Sequence, residues 1–173
     1  MPTFQQAIDA DPSKFMTYGA TLLQTAAEVG SLQVKYAQQV VDLGTSWQGD
    51  DYQGLVGWAG QVATFTGQVD AVLAMAAATL ESMGATMMAN VMTLKATKQA
   101  AEGVGYKVLP TPMVILGPSQ WSQVSSAGPG APAVLAAYQA GAIAFTTALM
   151  AQYAAIVAQD LACNAAIRAA IAL

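Results

Sequence analysis

No proline interrupts the chain from Gln53 to Leu109. Across that run the apolar residues Val62, Phe65, Val69, Val72, Ala76, Leu80, Met83, Met87, Val91 and Leu94 step by threes and fours, the spacing of one face of an α-helix. Asp50 or Asp51 offers a cap at its start, and Lys95 and Lys98 suit the negative end of its dipole. The pattern predicts one helix over 51–102, roughly 75 Å long at 1.5 Å per residue. Upstream, Asp11 and Pro12 read as a helix start. Tyr18, Leu22, Ala26, Val29, Tyr36, Val40 and Leu43 mark one face of a helix over 11–44, which Gly44 can stop. Two long helices joined by the short turn 45–50 make an antiparallel hairpin.

Downstream the grammar changes. Residues 103–130 are rich in proline and glycine, the punctuation of loops, with a short helix expected over Ser119–Ser126. Residues 131–173 are Ala-rich, helical and free of charge until Asp160. Their length suits a membrane span, but Gln139, Gln152 and Gln159 and the lack of basic flanks fit a helix covered by other helices better. The fold expected is all-α: a single elongated helical domain over 1–173, with a long hairpin and a C-terminal helix.

Composition narrows the function. The 173 residues are 55% hydrophobic and 9% charged, against about 25% charged in ordinary soluble domains. Such a chain either meets a membrane or buries surface against another protein. Its net charge of -4 argues against nucleic acid, because phosphate contacts need clustered Lys and Arg. Histidine is absent, which removes Cys–His nucleophiles and imidazole metal ligands. The single cysteine, Cys163, reads as a small buried hydrophobe or an intermolecular bridge. Asp50–Asp51 could imitate a metal or acid–base pair, but neighbours on a helix diverge, and a helix start favours acids there anyway. No catalytic, cofactor or metal site is expected. Met75, Met83, Met87, Met88 and Met92 read either as core filling or as an adaptable binding surface.

The turn itself, Gly44 to Gly54, reads GTSWQGDDYQG. Gly49 lets the chain reverse, and Trp47 spreads a large flat surface there, as a clasp between helix ends, a recognition feature or a self-assembly contact. A Trp-x-Gly turn, Trp47-Gln48-Gly49, between two antiparallel helices resembles the WxG superfamily of type VII (ESX) secretion substrates. The continuation resembles the PPE domain of mycobacteria and its relative, the PPE-like part of ESX secretion-associated protein B. The matching features are Ser46-Trp47-Gln48-Gly49, the Pro-rich step Leu109-Pro110-Thr111-Pro112-Met113-Val114-Ile115, and Ala151-Gln152-Tyr153-Ala154 with Ala158-Gln159-Asp160. The resemblance covers residues 15–173 but lacks the Pro-Pro-Glu signature. None of Tyr18, Tyr36, Tyr52, Tyr106, Tyr138 and Tyr153 has an acid four residues on, so the family's Tyr-x-x-x-Asp/Glu export signal is not present.

The resemblance implies a non-enzymatic protein, exported by type VII secretion without a cleaved signal peptide. It implies action through helical pairing with a PE-like or WxG-like partner, or through self-oligomerisation. Trp47 and Gly49 are then the recognition turn. Phe65, Val69, Val72, Leu80, Met83, Met87 and Val91 form the expected partner or oligomer face. The family's chaperone-gripped tip, an Asn-Arg and a run of large apolar residues, is replaced here by PSQWSQVSSAGPGAP, so chaperone docking is lost, altered, or moved to an expected tip of Met113, Val114, Ile115, Leu116 and Trp121. The alternative is a membrane-active or pore-forming helical assembly.

Overall fold

Local sequence signals account for most of the helix boundaries in the computed structural model, which describes residues 2–171. The elements are α1 (Phe4–Asp9), α2 (Ser13–Gly44), α3 (Asp50–Gly103), β1 (Lys107–Val108), β2 (Val114–Ile115), α4 (Pro118–Ser126), a 3-10 turn (Gly128–Gly130) and α5 (Ala131–Ile171). The fold is all-α apart from the two-residue strands. The long helices fall within a residue or two of the expected ranges, the usual scatter of helix ends. Positions 172 and 173, included in the expected last helix, lie outside the described residues.

Two elements differ from expectation. The polar N-terminus contains α1, started by a capping box in which Thr3 Oγ1 accepts from the Gln6 N–H at 3.2 Å and the Thr3 N–H donates to Gln6 Oε1 at 2.8 Å. Reciprocal bonds of this kind satisfy two orphan donors at a helix start. The Pro-rich connection contains the antiparallel ribbon β1–β2, with Lys107 opposite Ile115 and Val108 opposite Val114.

The contacts cluster into two compact units. One comprises Ser13–Gly84 with the chain from Cys163 onward. In it α2 presents the line Phe15, Gly19, Leu22, Ala26, Val29, Gln33, Tyr36 and Val40, each buried or half-buried. The facing line on α3 is Leu55, Ala59, Val62, Thr66, Val69, Leu73, Ala76 and Leu80. Both lines alternate four and three residues, the 3.5-residue period of a coiled-coil seam. The close approaches run in opposite senses along the two helices: Gly44 meets Tyr52, Gly30 meets Asp70, and Gly19 meets Ala77 and Leu80. That order is antiparallel packing. Cys163 belongs to this unit and is buried, which closes it to an intermolecular bridge.

The second unit comprises residues 1–12 with Ala85–Ala162. Here the C-terminal part of α3 runs antiparallel to α5, fixed by two polar rungs one heptad apart. Asn90 Nδ2 donates to Gln159 Oε1 at 2.8 Å, and Gln152 Nε2 donates to Thr97 Oγ1 at 2.9 Å. Leu94 and Leu149, both fully buried, fill the space alongside. Helix α1 is held to α5 by Phe4, edge-on to Tyr153 at 5.9 Å, and by the Tyr153 hydroxyl donating to the Pro2 carbonyl at 2.5 Å.

Candidate interaction surfaces

The expected partner face on α3 divides into an inner and an outer part. Leu80, Met87 and Val91 are buried by the chain itself, while Val69, Val72 and Met83 are half-buried. Phe65 is 63% exposed and points away from the inner line. The step from Val62 that stays inward is to Thr66, not Phe65. Thr66 tolerates the interior because its hydroxyl donates to the Val62 carbonyl at 2.8 Å. On α2, Tyr18 and Leu43 are likewise exposed, off the inner line.

A second seam lies beside the first on α2. Met16, Ala20, Leu23, Ala27, Gly30, Val34, Ala37 and Val41 repeat the alternation of four and three, displaced by one residue. One residue turns about 100° around a helix of 3.6 residues per turn, so this line faces sideways. All but Gly30 are exposed, Val34 at 67%. The opposite flank of α2 mixes Lys14, Thr21, Thr25, Glu28, Lys35 and Gln39 with two exposed apolar side chains, Tyr18 and Leu32.

The side of α3 next to this seam is lined by small residues. Gly30 approaches the Asp70 carboxylate, which places Gly60, Ala63, Gly67 and Ala74, on the same line as Asp70, beside the seam. Side chains added at Gly60 or Gly67 would meet nothing within 4 Å. Each helical glycine costs roughly 0.5–1 kcal/mol relative to alanine, and packing within the chain does not account for them. Asp70 Oδ1 is buried there without a hydrogen-bond donor.

In the turn, the Trp47 N–H donates to the Leu43 carbonyl at 2.8 Å and Thr45 Oγ1 donates to the Asp42 carbonyl at 2.7 Å. Gly49 has φ of +155° and open space around it. Asp50 and Asp51 occupy the first turn of α3 rather than the cap position, where the helix dipole favours them. The Trp47 side chain is 45% exposed, so about half its surface is offered to solvent.

The expected tip residues converge. Met113, Val114, Ile115, Leu116 and Trp121 line one apolar cleft of about 610 Å³ whose other wall is α5 at Ala142, Ile143 and Thr146. The ribbon is held against α5 by the Val114 N–H donating to Thr146 Oγ1 at 3.0 Å. Tyr106, edge-on to Phe145 at 5.6 Å, donates its hydroxyl to the Tyr138 carbonyl at 3.0 Å. Burial, with the nearby Tyr138 contributing less, raises the Tyr106 pKa above the ordinary tyrosine value. Helix α4 is anchored by Gln120, which is 2% exposed. Its Oε1 accepts from the Gly117 N–H at 3.0 Å and its Nε2 donates to the Val104 carbonyl at 3.1 Å. Gln120 lies within the expected short helix, but nothing in its neighbourhood marks an amide for burial.

Among the described residues, no three His, Cys, Asp or Glu side chains converge on a metal-sized site. Two helical stretches, Asp50–Gly103 and Gly128–Ala169, are long and apolar enough to cross a membrane. Their most apolar windows are only 28% and 17% buried, so much apolar surface is left uncovered. No family model, curated protein or solved structure matches the chain.

Proposed function

We propose that this chain is a non-enzymatic helical pairing protein. It is exported by type VII secretion, as a substrate or a secretion-associated protein, and it acts by binding a PE-like or WxG-like helical partner or further copies of itself. The observation that carries the pairing is the second seam on α2, which is built to receive a helix and left open. Neighbouring glycines and alanines on α3 leave room for close approach, as small residues do wherever helices pack tightly. The export half of the reading rests on the resemblance at Trp47-Gln48-Gly49 and on the exposure of that tryptophan. A partner supplies the export signal that the six tyrosines of this chain lack.

A membrane-active role is the second reading, favoured by the two long apolar helices. Against it, α5 carries no charge from Ala131 through Gln159, whereas helices that lie on membranes are usually rich in Lys and Arg.

The test is export from a mycobacterial host with and without a working type VII apparatus. The chain should reach the culture medium only when the apparatus works. Trp47→Ala should cut export severalfold while costing only about 1.5 kcal/mol of stability, half of what a fully buried tryptophan would lose. Export independent of the apparatus would overturn the secretion reading, and a Trp47→Ala chain exported normally would remove the recognition role of the turn.

A further inference from the structure

A single charge, Asp70, interrupts the surface that borders the open α2 seam. From Gly60 to Ala77 its line on α3 is otherwise glycine and alanine, and the seam from Met16 to Val41 carries no charge. The carboxylate reaches across to α2, where its Oδ2 lies 3.5 Å from the place a Cβ would take on Gly30. Gly30 is the one seam residue without a side chain, so the groove has a notch at the carboxylate. Oδ1 is sealed from solvent with no hydrogen-bond donor. The residue as a whole is half-buried, which leaves Oδ2 as the reachable oxygen. Taking a carboxylate oxygen out of water without a donor is unfavourable, and neither bordering line carries a Lys or Arg to offset it.

We propose that a partner helix in this groove brings a lysine or arginine to Asp70, and that the partner is a different protein rather than a second copy. The inference rests on the pairing proposed for the α2 seam and adds the chemistry of what pairs there. A long aliphatic stem can lie over Ala27, Gly30, Gly67 and Ala74 while its charged head reaches Oδ2. A cation at one oxygen balances the charge shared by both, so the sealed Oδ1 is stabilised too. The rest of the groove is small and apolar throughout and would let a helix slide. One ionic contact within it fixes a single register, as isolated polar positions do in coiled coils. Gly30 lies near the middle of the seam, so the cation must lie near the middle of the incoming helix. None of this chain's own six basic residues fits. Lys14 and Arg168 lie in the first turn of α2 and the last turn of α5, and Lys35 is set among Ser31, Gln38 and Gln39. Lys95 and Lys98 project from a stretch of α3 whose Leu94 and Ala101 are already covered, and Lys107 is in β1. The net charge of -4 also sets a second copy against an acidic groove.

A photo-cross-linking residue at Val34, about one helical turn from Gly30, captures what lies on the seam in producing cells, and mass spectrometry maps the residue it attaches to. The captured helix should belong to another protein and carry a Lys or Arg within about five residues of the attachment point. A synthetic peptide of that helix should bind the full chain. Changing its basic residue to Gln, or Asp70→Asn in the chain, should each weaken binding roughly 10-fold or more, the loss expected for a hydrogen bond to a charged group. The two changes together should weaken it little further than either alone, because they remove the same contact. In the free chain Asp70→Asn should melt no lower than the unchanged protein, since it removes a charge that has no donor there and Asn and Asp have similar helix propensities. Four results would each overturn the inference while leaving the pairing intact. They are a captured helix with no Lys or Arg near the attachment point, capture of a second copy, full-affinity binding by the Asp70→Asn chain, and a lower Tm of that chain alone. No adduct from position 34 in cells that export the chain would remove the pairing reading, and the inference with it.

Discussion

Gly117→Ala should lower stability by roughly 3 kcal/mol, the upper part of the range for forcing atoms into a packed interior. For a chain of this length that corresponds to a fall in Tm of about 10 °C. A Cβ at position 117 would land on the backbone carbonyl of Gly105, and a backbone atom cannot swing aside as a side-chain tip can. Gly105 in turn needs φ of +92°, a region that side chains rarely adopt. The two glycines cross where α4 starts against the end of α3, and the bonds of Gln120 to Gly117 and Val104 hold that crossing. The substitution should also open the cleft at Met113 and Trp121, because the ribbon and α4 lose their common anchor. Thermal melting and tryptophan fluorescence check both effects. An unchanged melting curve would mean that the crossing is looser than described.

The combined substitution Gly60→Ala and Gly67→Ala should do the opposite to stability and harm binding. Among the described residues, nothing outside the helix's own turn lies within 4 Å of a side chain added at either position. Each change should therefore stabilise α3 by roughly 0.5–1 kcal/mol through the smaller backbone entropy of alanine. If a partner helix lies on the α2 seam and against this side of α3, two added methyl groups hold it away. Overpacking of that kind costs about 1–3 kcal/mol, so affinity should fall roughly 5- to 150-fold at 1.4 kcal/mol per factor of ten. A protein that melts higher and binds worse separates a surface kept open for a partner from one that is merely inert. Higher stability with unchanged affinity would count against this face.

The helices were legible because their signals are local and repeated. The proline-free run from Ser13 to Leu109 spans both long helices, and the glycines around Trp47 divide it without help from packing. The inner surface was harder to read. On α3, Phe65 and Thr66 are both a helical step from Val62, and hydrophobicity alone favours the wrong one. Thr66 is inside because its hydroxyl is satisfied within its own helix. On α2, the periodicity picks out Leu22, Ala26, Val29, Tyr36 and Val40 of the inner line, but not the second apolar seam beside it. The early capping box of Thr3 and Gln6 was a visible signal that the polar N-terminus masked. The ribbon had a fainter mark in the short apolar runs flanking Pro110-Thr111-Pro112. The convergence of Met113–Leu116 with Trp121 was readable as a candidate, but the α5 wall at Ile143 and Thr146 arises from tertiary packing alone.

The central claim is that the outer seam of α2 is where a partner helix sits. A photo-cross-linking residue placed at Val34, on that seam, and separately at Thr25, on the opposite flank, tests it in producing cells. Both positions are exposed, so neither replacement should disturb the fold. The seam account predicts a covalent adduct to a small helical protein, or to a second copy, from position 34 and none from position 25. Equal adducts from both positions, or none from position 34 while the protein is being exported, would contradict it.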